Sequence, residues 1–337
     1  MNYDDKYIIR LAEMADVDGI MCFIDEYWKK GHILGNNKEF FLYEHADQDR
    51  INFLLAIDRK SKEIEGILGF LPASHDASTF DIWTGIWKVR DGVLPLLGME
   101  LYKRLPQMVG ARTILGVGDS QTTTGPLLRK LTKTFNTWRM RHFYYLADRN
   151  DFFIADVKDK YIQEPKYISR VAKVKKIDDI SETQEYVNFY DHGVVPYKDL
   201  SYINHRYFKH PIYNYDVYGI QLDDSKALIV IRKQEYEQRS VVRIVDYIGE
   251  QICFSGINSF IRELLSENDC EYVDFYTYGF QYEYIFEAGF TERMENDSIV
   301  IPDYFNPFER RNVEIWVSGN VETGLFTKAD GDQDRPN

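Results

Sequence analysis

Residues 82–105 could form a strand, a tight apolar loop and a helix that together bind an anion. The loop would bring several backbone N–H groups to a helix N-terminus, where unpaired N–H groups and the helix dipole attract negative charge. Gly98 lies where a Cβ would hinder the close approach of a phosphate. The alternative is a buried strand followed by an ordinary core helix, because the glycine pattern is sparse.

Two titratable residues are candidates for proton transfer. His32 lies in a break between the first two predicted helices and titrates near neutral pH. Asp119 follows a predicted strand over residues 111–118. Each has a structural alternative, since His32 could cap a helix and Asp119 could start the turn at Ser120.

Aromatic residues offer candidate contacts with a substrate. Trp83 and Trp87 alternate along one predicted strand, so we expect both on one face, as pocket walls or as core. Arg206 and Tyr207 begin the segment RYFK, which could bind a nucleotide diphosphate and stack on a base, or form a solvated cluster. Tyr276, on a predicted strand, could line the same interface.

The C-terminal segment ADGDQDRPN carries Asp330, Asp332 and Asp334. Its D-x-D-x-D spacing resembles the start of a calcium loop, but the glycine and the twelfth-position glutamate of that loop are missing, so no metal is expected. Asp332 and Asp334 could instead meet the hydroxyls or ammonium of a substrate. A disordered acidic tail is the alternative.

The composition narrows the class of protein. The 337 residues carry a net charge of −13, which argues against nucleic acid as the main partner. The longest apolar runs have the length of strands, and the N-terminus has acids where a signal peptide needs bases, so a cytoplasmic protein is expected. The three cysteines are too far apart in sequence to indicate a disulfide framework or a zinc site.

The predicted elements repeat once along the chain. Residues 1–148 have the order βααβββ-loop-αβαβ, and a similar order returns in residues 169–316 after a charged linker at 149–168. A repeated order of elements indicates two copies of one architecture. We therefore predict an α/β fold of two tandem domains, each a mixed, mostly antiparallel sheet flanked by helices, with residues 317–337 as an extended tail.

This order, with an apolar loop after the fourth strand, resembles the GNAT superfamily of N-acyltransferases. Residues 1–148 resemble a complete member, and residues 169–316 resemble a GNAT-like domain that has lost its cofactor loop. The stretches WKKGHILGNNKEFFLY and WTGIWKV are similar to two-domain nucleotide-sugar N-acyltransferases of surface-polysaccharide (O-antigen and capsule) biosynthesis. The resemblance implies acylation of the amino group of a nucleotide-linked amino deoxysugar, such as a dTDP-3-amino-3,6-dideoxyhexose. It implies acetyl-CoA or 3-hydroxybutanoyl-CoA as co-substrate.

The resemblance also implies roles for individual residues. The first domain would bind acyl-CoA, and the amine would attack the thioester directly in a ternary complex, with His32 or Asp119 as base. The residues implied to contact the cofactor are Trp87, Val89, Leu94, Leu96, Leu97, Gly98 and Met99. The residues implied to contact the substrate are Trp83, Arg206, Tyr207, Tyr276, Asp332 and Asp334.

Two other functions stay open. Val93, Leu94 and Leu96 stand where the family loop usually has glycines and a basic residue, which favours a non-catalytic tandem binding protein. A peptide or aminoacyl N-acyltransferase is the other alternative, although the acidic total counts against the basic groove that a tRNA donor would need. The apolar strand at 82–89 could also support a homodimer.

Overall fold

The computed structural model describes residues 2–48, 50–122, 124–132, 135–158, 170–189, 193–267, 269–295 and 298–336. Its strands form two mixed eight-stranded sheets and one short ribbon, with helices packed against the sheets. The predicted α/β fold class is confirmed. Half of the expected linker, residues 159–168, lies outside the described residues.

Eight of the described strands come from the first half of the chain, and all of them except β8 belong to the first sheet. They are β1 Tyr7–Glu13, β2 Ala46–Asp47, β3 Arg50–Asp58, β4 Ile64–Pro72, β5 Asp81–Val89, β6 Thr113–Val117, β7 Asn136–Arg139 and β8 Arg141–Leu146. The later strands are β9 Lys173–Ile177, β10 Asp216–Leu222, β11 Ser225–Tyr236, β12 Arg239–Gly249, β13 Cys270–Tyr278, β14 Thr291–Glu292, β15 Tyr304–Phe305, β16 Phe308–Glu309, β17 Trp316–Gly319 and β18 Phe326–Thr327.

The helices lie between these strands. They are α1 Tyr3–Lys6, α2 Val17–Phe23, α3 Ile33–Asn36, α4 Lys38–His45, α5 Leu97–Val109, α6 Thr124–Leu131, α7 Leu200–Ile203, α8 Asn258–Glu267 and α9 Tyr282–Glu287. The 3₁₀ turns are Met14–Asp16, Ala77–Thr79, Ile180–Glu185 and Gln251–Gly256, and the π turns are Ile24–Trp28 and Asn204–Phe208. None of the helices described here is long and apolar enough to cross a bilayer.

Strand β3 shows why the centre of the first sheet is a continuous apolar run. Leu54 belongs to the core on one face, where Leu101 and Leu105 of α5 pack. Phe53 and Leu55 belong to the core on the other face, against α2 and α4. Both faces of the strand are buried, so successive residues are apolar and do not alternate with polar ones.

The chain crosses between the sheets at Met140. The predicted last strand of the first domain, residues 138–146, is split there: β7 lies in the first sheet and β8 in the second. Met140 is buried, and its N–H donates to the Ile315 carbonyl at 2.9 Å. Strand β17 returns the chain to the first sheet, where it pairs with both β6 and β7. The sheets therefore exchange strands across residue 148.

The C-terminal segment also closes a gap in the second sheet. Strands β12 and β13 pair in parallel only as far as Ile244 and Phe275. Beyond that point β18 pairs with β13, and the Ala329 N–H donates to the Val245 carbonyl at 2.8 Å. Residues 326–329 thus fill the space where the parallel strands separate, and the segment expected to be an extended tail is largely buried.

Candidate active site

The corresponding gap in the first sheet lies between β5 and β6. These strands pair in parallel from Asp81 and Thr113 to Thr84 and Gly116. Strand β5 then continues to Val89, whereas β6 ends at Val117. Among the described residues, no strand pairs with β5 on this side beyond Thr84. The far half of β5 therefore exposes one backbone edge to the gap.

The pairing of β5 with β4 determines which backbone groups face this gap. The Arg90 N–H donates to the Glu65 carbonyl at 2.9 Å, and Lys88 lies opposite Ile67 in the same register. Hydrogen-bonded and non-bonded pairs alternate along an antiparallel ladder. Trp87 and Val89 therefore belong to non-bonded pairs, whose N–H groups point away from β4. Both N–H groups face the gap, where they could donate hydrogen bonds to the carbonyl oxygen of a thioester.

A β-bulge separates the two tryptophans of β5. The register with β4 shifts between Leu68 and Phe70, so β5 holds one extra residue there. Trp83 packs 5.4 Å from Tyr202 on one face of the sheet, whereas Trp87 packs 5.2 Å from Tyr102 of α5. Because a bulge reverses the alternation of side chains, the expectation that Trp83 and Trp87 share a face is wrong.

The loop after β5 leads directly into α5. Leu96 caps the helix with a positive φ of 62°, and its side chain is 54% exposed. The back of the loop is fixed by the N-terminal segment: the Tyr3 hydroxyl donates to the Pro95 carbonyl at 2.8 Å, and the Leu94 N–H donates to the Tyr7 hydroxyl at 3.3 Å. The start of α5 therefore faces outward from a supported loop.

Gly98 is required by packing within the protein. The Trp87 indole N–H donates to the Gly98 carbonyl at 3.1 Å, and a Cβ at Gly98 would lie 3.0 Å from the same indole nitrogen. The neighbouring Leu97 and Met99 side chains are buried in the core. Leu97, Gly98 and Met99 could therefore contact a cofactor only through their backbone groups.

Asp119 follows β6 at the apex of the gap. The residue is partly exposed, but its Oδ2 atom is buried and has no hydrogen-bond partner among the described residues. Burial raises the pKa of Asp119 to about 6; a hydrogen bond with Ser318 opposes this shift, and the carboxylate of Asp332 adds to it. A carboxylate with this pKa can accept a proton near neutral pH.

The C-terminal segment brings Asp332 to the same place. Its Oδ2 lies 3.8 Å from the position that a Cβ would take on Gly85 of β5, and it pairs with Arg335 at 2.8 Å. The next residue, Gln333, donates to the Val117 carbonyl at 3.4 Å. A Cβ on Gly118 would lie only 2.0 Å from the Gln333 amide nitrogen, so the glycine admits this segment.

His32 acts as a helix cap. Its Nδ1 accepts the Leu34 N–H at 3.2 Å at the start of α3, and its Nε2 lies 3.4 Å from Arg335. Burial, the Arg335 cation and Lys29 lower its pKa to about 4, so the ring is neutral at pH 7. Because a guanidinium only donates, the Leu34 N–H and the Arg335 side chain both point hydrogen-bond donors at the ring. Both ring nitrogens are therefore engaged within the protein.

The predicted substrate residues of the second half are buried. Arg206 donates to the Asp334 carbonyl at 2.6 Å, and Asp334 pairs with Arg232 at 2.5 Å. Tyr207 donates to Asp246 at 2.5 Å, and Tyr276 donates to a backbone carbonyl in the core. These side chains hold the C-terminal segment and the second sheet together, and they do not form one exposed nucleotide-binding surface.

Two residues beside Asp119 were not among the site residues predicted from the sequence. Ser318 reaches Asp119 only because β17 inserts beside β6. Tyr102 lies on α5, and its pKa is raised by burial and by the nearby Asp119 carboxylate. The helical spacing of Tyr102 was visible in sequence, but nothing there indicated that Ser318 would cross to the first sheet.

Comparisons with known proteins agree with this architecture. No protein-family model and no curated protein matches the chain. Among solved structures, it is similar to a GCN5-related N-acetyltransferase from Anabaena variabilis, at 10% identity over 93% of this chain and 72% of that one, with a TM-score of 0.55. At such low identity this likeness shows a shared fold alone.

More distant likenesses extend over nearly the whole chain. A GCN5-related N-acetyltransferase from Sphaerobacter thermophilus is 11% identical, over 96% of each chain, with a TM-score of 0.44. Saccharomyces cerevisiae N-myristoyltransferase with bound myristoyl-CoA is 9% identical, over 95% of this chain and 79% of that one, with a TM-score of 0.47.

Proposed function

We propose that this chain is an acyl-CoA-dependent N-acyltransferase. The observation that carries the proposal is the gap between β5 and β6, into which the Trp87 and Val89 N–H groups point. A carbonyl bound there would meet preorganised donors aligned with the charge that develops on its oxygen. The Trp87 indole N–H also donates to the Gly98 carbonyl at the start of α5, so this end of β5 lies beside the helix N-terminus, where an anionic diphosphate could bind.

We place acyl-CoA in the first sheet, on residues 1–148, and treat residues 169–316 as a degenerate copy. The equivalent gap of the second sheet is filled by residues 326–329. Glu250 lies at the start of the turn that follows β12, where its charge would repel a phosphate. In the first sheet, residues 92–99 would hold the pyrophosphate, mainly through backbone N–H groups.

The reaction can be written with the residues at the apex. The amine nitrogen attacks the thioester carbon, a C–N bond forms, and the negative charge on oxygen is stabilised by the Trp87 and Val89 N–H groups. Asp119 accepts the proton that the ammonium or the zwitterionic intermediate must lose. The C–S bond then breaks and coenzyme A leaves as a thiolate, a good leaving group that needs little acid assistance.

The acceptor that we propose is the amino group of a nucleotide-linked amino deoxysugar, with an acetyl or 3-hydroxybutanoyl group transferred. The support is the resemblance of residues 28–43 and 83–89 to sugar N-acyltransferases. The carboxylates of Asp119 and Asp332 at the apex add to it, because they would attract an ammonium group.

The test is free-thiol release from each acyl-CoA in the presence of dTDP-3-amino-3,6-dideoxyhexose. The matched control acceptor is the dTDP-sugar with a hydroxyl in place of the amine. Amine-dependent thiol release with a stoichiometric amide product is expected. Acyl-CoA binding without transfer to any amino sugar or peptide amine would favour the non-catalytic alternative, and transfer to peptide amines alone would favour a peptide N-acyltransferase.

A further inference from the structure

A second, partly open space lies beside the first sheet, next to Gly331 of the C-terminal segment. It is a cavity of about 140 Å³ bounded by the end of α4, the end of β4, the segment 201–206 and Gly331. This volume is below the usual range for drug-sized ligands, so it suits one small ring and not a whole nucleotide.

Three buried side chains that line this cavity have unmet hydrogen-bonding groups. Asn52, Tyr202 and Arg206 are 3%, 7% and 4% exposed. Among the described residues, the Asn52 Oδ1, the Tyr202 hydroxyl and the Arg206 Nε have no hydrogen-bond partner. Buried polar groups are almost always paired in folded proteins, so three orphans around one cavity indicate that a polar group fills it.

The chemistry of these groups defines the ligand. Asn52 Oδ1 needs a donor, whereas Arg206 Nε needs an acceptor and the Tyr202 hydroxyl can use either. A hydroxyl group satisfies both needs. Tyr43 and His205 add a stacked aromatic pair, with ring centroids 4.1 Å apart, on which the apolar face of a sugar ring could pack.

The charge of the cavity argues against an anion. The positive charge of Arg206 lies 3.5 Å from the buried Glu44 carboxylate. The other carboxylate on the wall, Asp47, is paired with Arg50. A phosphate or diphosphate would face these two acids, and the cations of the wall, Arg206 and His75, each already pair with a carboxylate, so an uncharged, hydroxyl-bearing group fits better.

We propose that the cavity lined by Asn52, Tyr202 and Arg206 binds the hydroxyl-bearing ring of a monosaccharide. Gly331 lines the cavity, and the next residue, Asp332, carries its carboxylate to the gap beside Gly85. A ring bound here lies next to the reacting groups. One part of the inference rests on the proposed function, namely that the ring in the cavity is the sugar of the acceptor. The diphosphate of the acceptor would then lie outside the cavity.

The test measures binding of D-glucose, D-glucosamine and inorganic diphosphate by ligand-observed NMR without any acyl-CoA, in the wild type and in Tyr202→Phe. The matched control is Tyr272→Phe, since Tyr272 is also buried but its hydroxyl donates to the Pro302 carbonyl. Tyr202→Phe is expected to weaken sugar binding about tenfold without lowering the melting temperature. Tyr272→Phe is expected to lower the melting temperature without changing sugar binding.

Three results of the binding experiment would overturn the proposal. They are an absence of saturable sugar binding to the folded wild type, equal sugar affinity in the wild type and Tyr202→Phe, or competition for the cavity by diphosphate. Because acyl-CoA is absent, a failure of acyl transfer does not affect this test. Conversely, acyl transfer with an acceptor KM that Tyr202→Phe leaves unchanged would refute the sugar site and leave the acyltransferase intact.

Discussion

Asp119→Asn is expected to lower activity strongly and to stabilise the protein at neutral pH. The carboxylate is proposed as the base, so its loss should lower kcat by about 10²–10⁴-fold. The stabilisation follows from the same burial that makes Asp119 basic. Its Oδ2 is buried without a partner in the described part of the chain, and burial raises its pKa to about 6 from 3.8.

The size and pH dependence of this effect follow from proton linkage. Below pH 3.8 the carboxyl is protonated in both the folded and the unfolded chain, so it has no effect on stability. Between 3.8 and about 6 the unfolded chain loses its proton first, and stability falls as the pH rises. Above pH 6 the full cost remains, at most about 3 kcal/mol for a shift of about two pKa units. The Asp119→Asn variant carries no ionisable group there and would avoid this cost.

The assay is urea unfolding of the wild type and Asp119→Asn at pH 4 and pH 7, with kcat measured against pH. We expect a stabilisation of about 2–3 kcal/mol at pH 7, roughly 4 °C in melting temperature, that nearly disappears at pH 4. The wild-type kcat should rise with pH through about 6 and then level off, because the base form is required.

Asp334→Asn is the matched control, with the opposite sign. Asp334 is buried, yet its pair with Arg232 holds its pKa at about 2. The same substitution there should destabilise the protein at pH 7, because it leaves a buried guanidinium unpaired. The reasoning about Asp119 is refuted if Asp119→Asn is as destabilising as Asp334→Asn. It is also refuted if Asp119→Asn keeps the wild-type kcat and the rise of kcat with pH near 6.

Two further predictions concern the assembly of the two sheets. Residues 1–148 expressed alone should show no cooperative thermal unfolding by circular dichroism, because β17 pairs with both β6 and β7 in the intact protein; a cooperative transition would contradict this role. Lys198→Met should lower the free energy of unfolding, measured in urea, by about 3–5 kcal/mol, because the buried ammonium lies 2.6 Å from both Asp246 and Asp330. A loss below about 1 kcal/mol would show that these three buried charges do not stabilise the fold.

The sequence predicted the order of elements well, because that order depends on local patterns. The apolar run of β3, the strand at 81–89 and the helix after Leu96 all follow from periodicity and turn residues. The exchange of strands at Met140 could not be predicted, because hydrophobic alternation shows that a strand is buried but not in which sheet. The placement of β17 in the first sheet could not be predicted for the same reason.

The site was predictable in part for similar reasons. The positions of Asp119 and of the loop before α5 follow from their places at the ends of elements. The separation of Trp83 from Trp87 depends on one extra residue in β5, which leaves no mark on the apolar pattern. The approach of Asp332 to Gly85 depends on contacts between residues more than 200 positions apart in sequence.

The most direct test of the central claim is calorimetric titration of coenzyme A into the wild type, Leu96→Asn and Leu96→Asp. Leu96 is exposed at the start of α5 with a positive φ, a conformation that Asn and Asp both tolerate better than most residues. The two variants differ in shape very little and in charge by one unit. If the diphosphate binds at this helix start, Leu96→Asn should retain affinity, and Leu96→Asp should lose about tenfold or more at low salt. Equal affinities for the two variants, or no binding of millimolar coenzyme A to the wild type, would contradict the account.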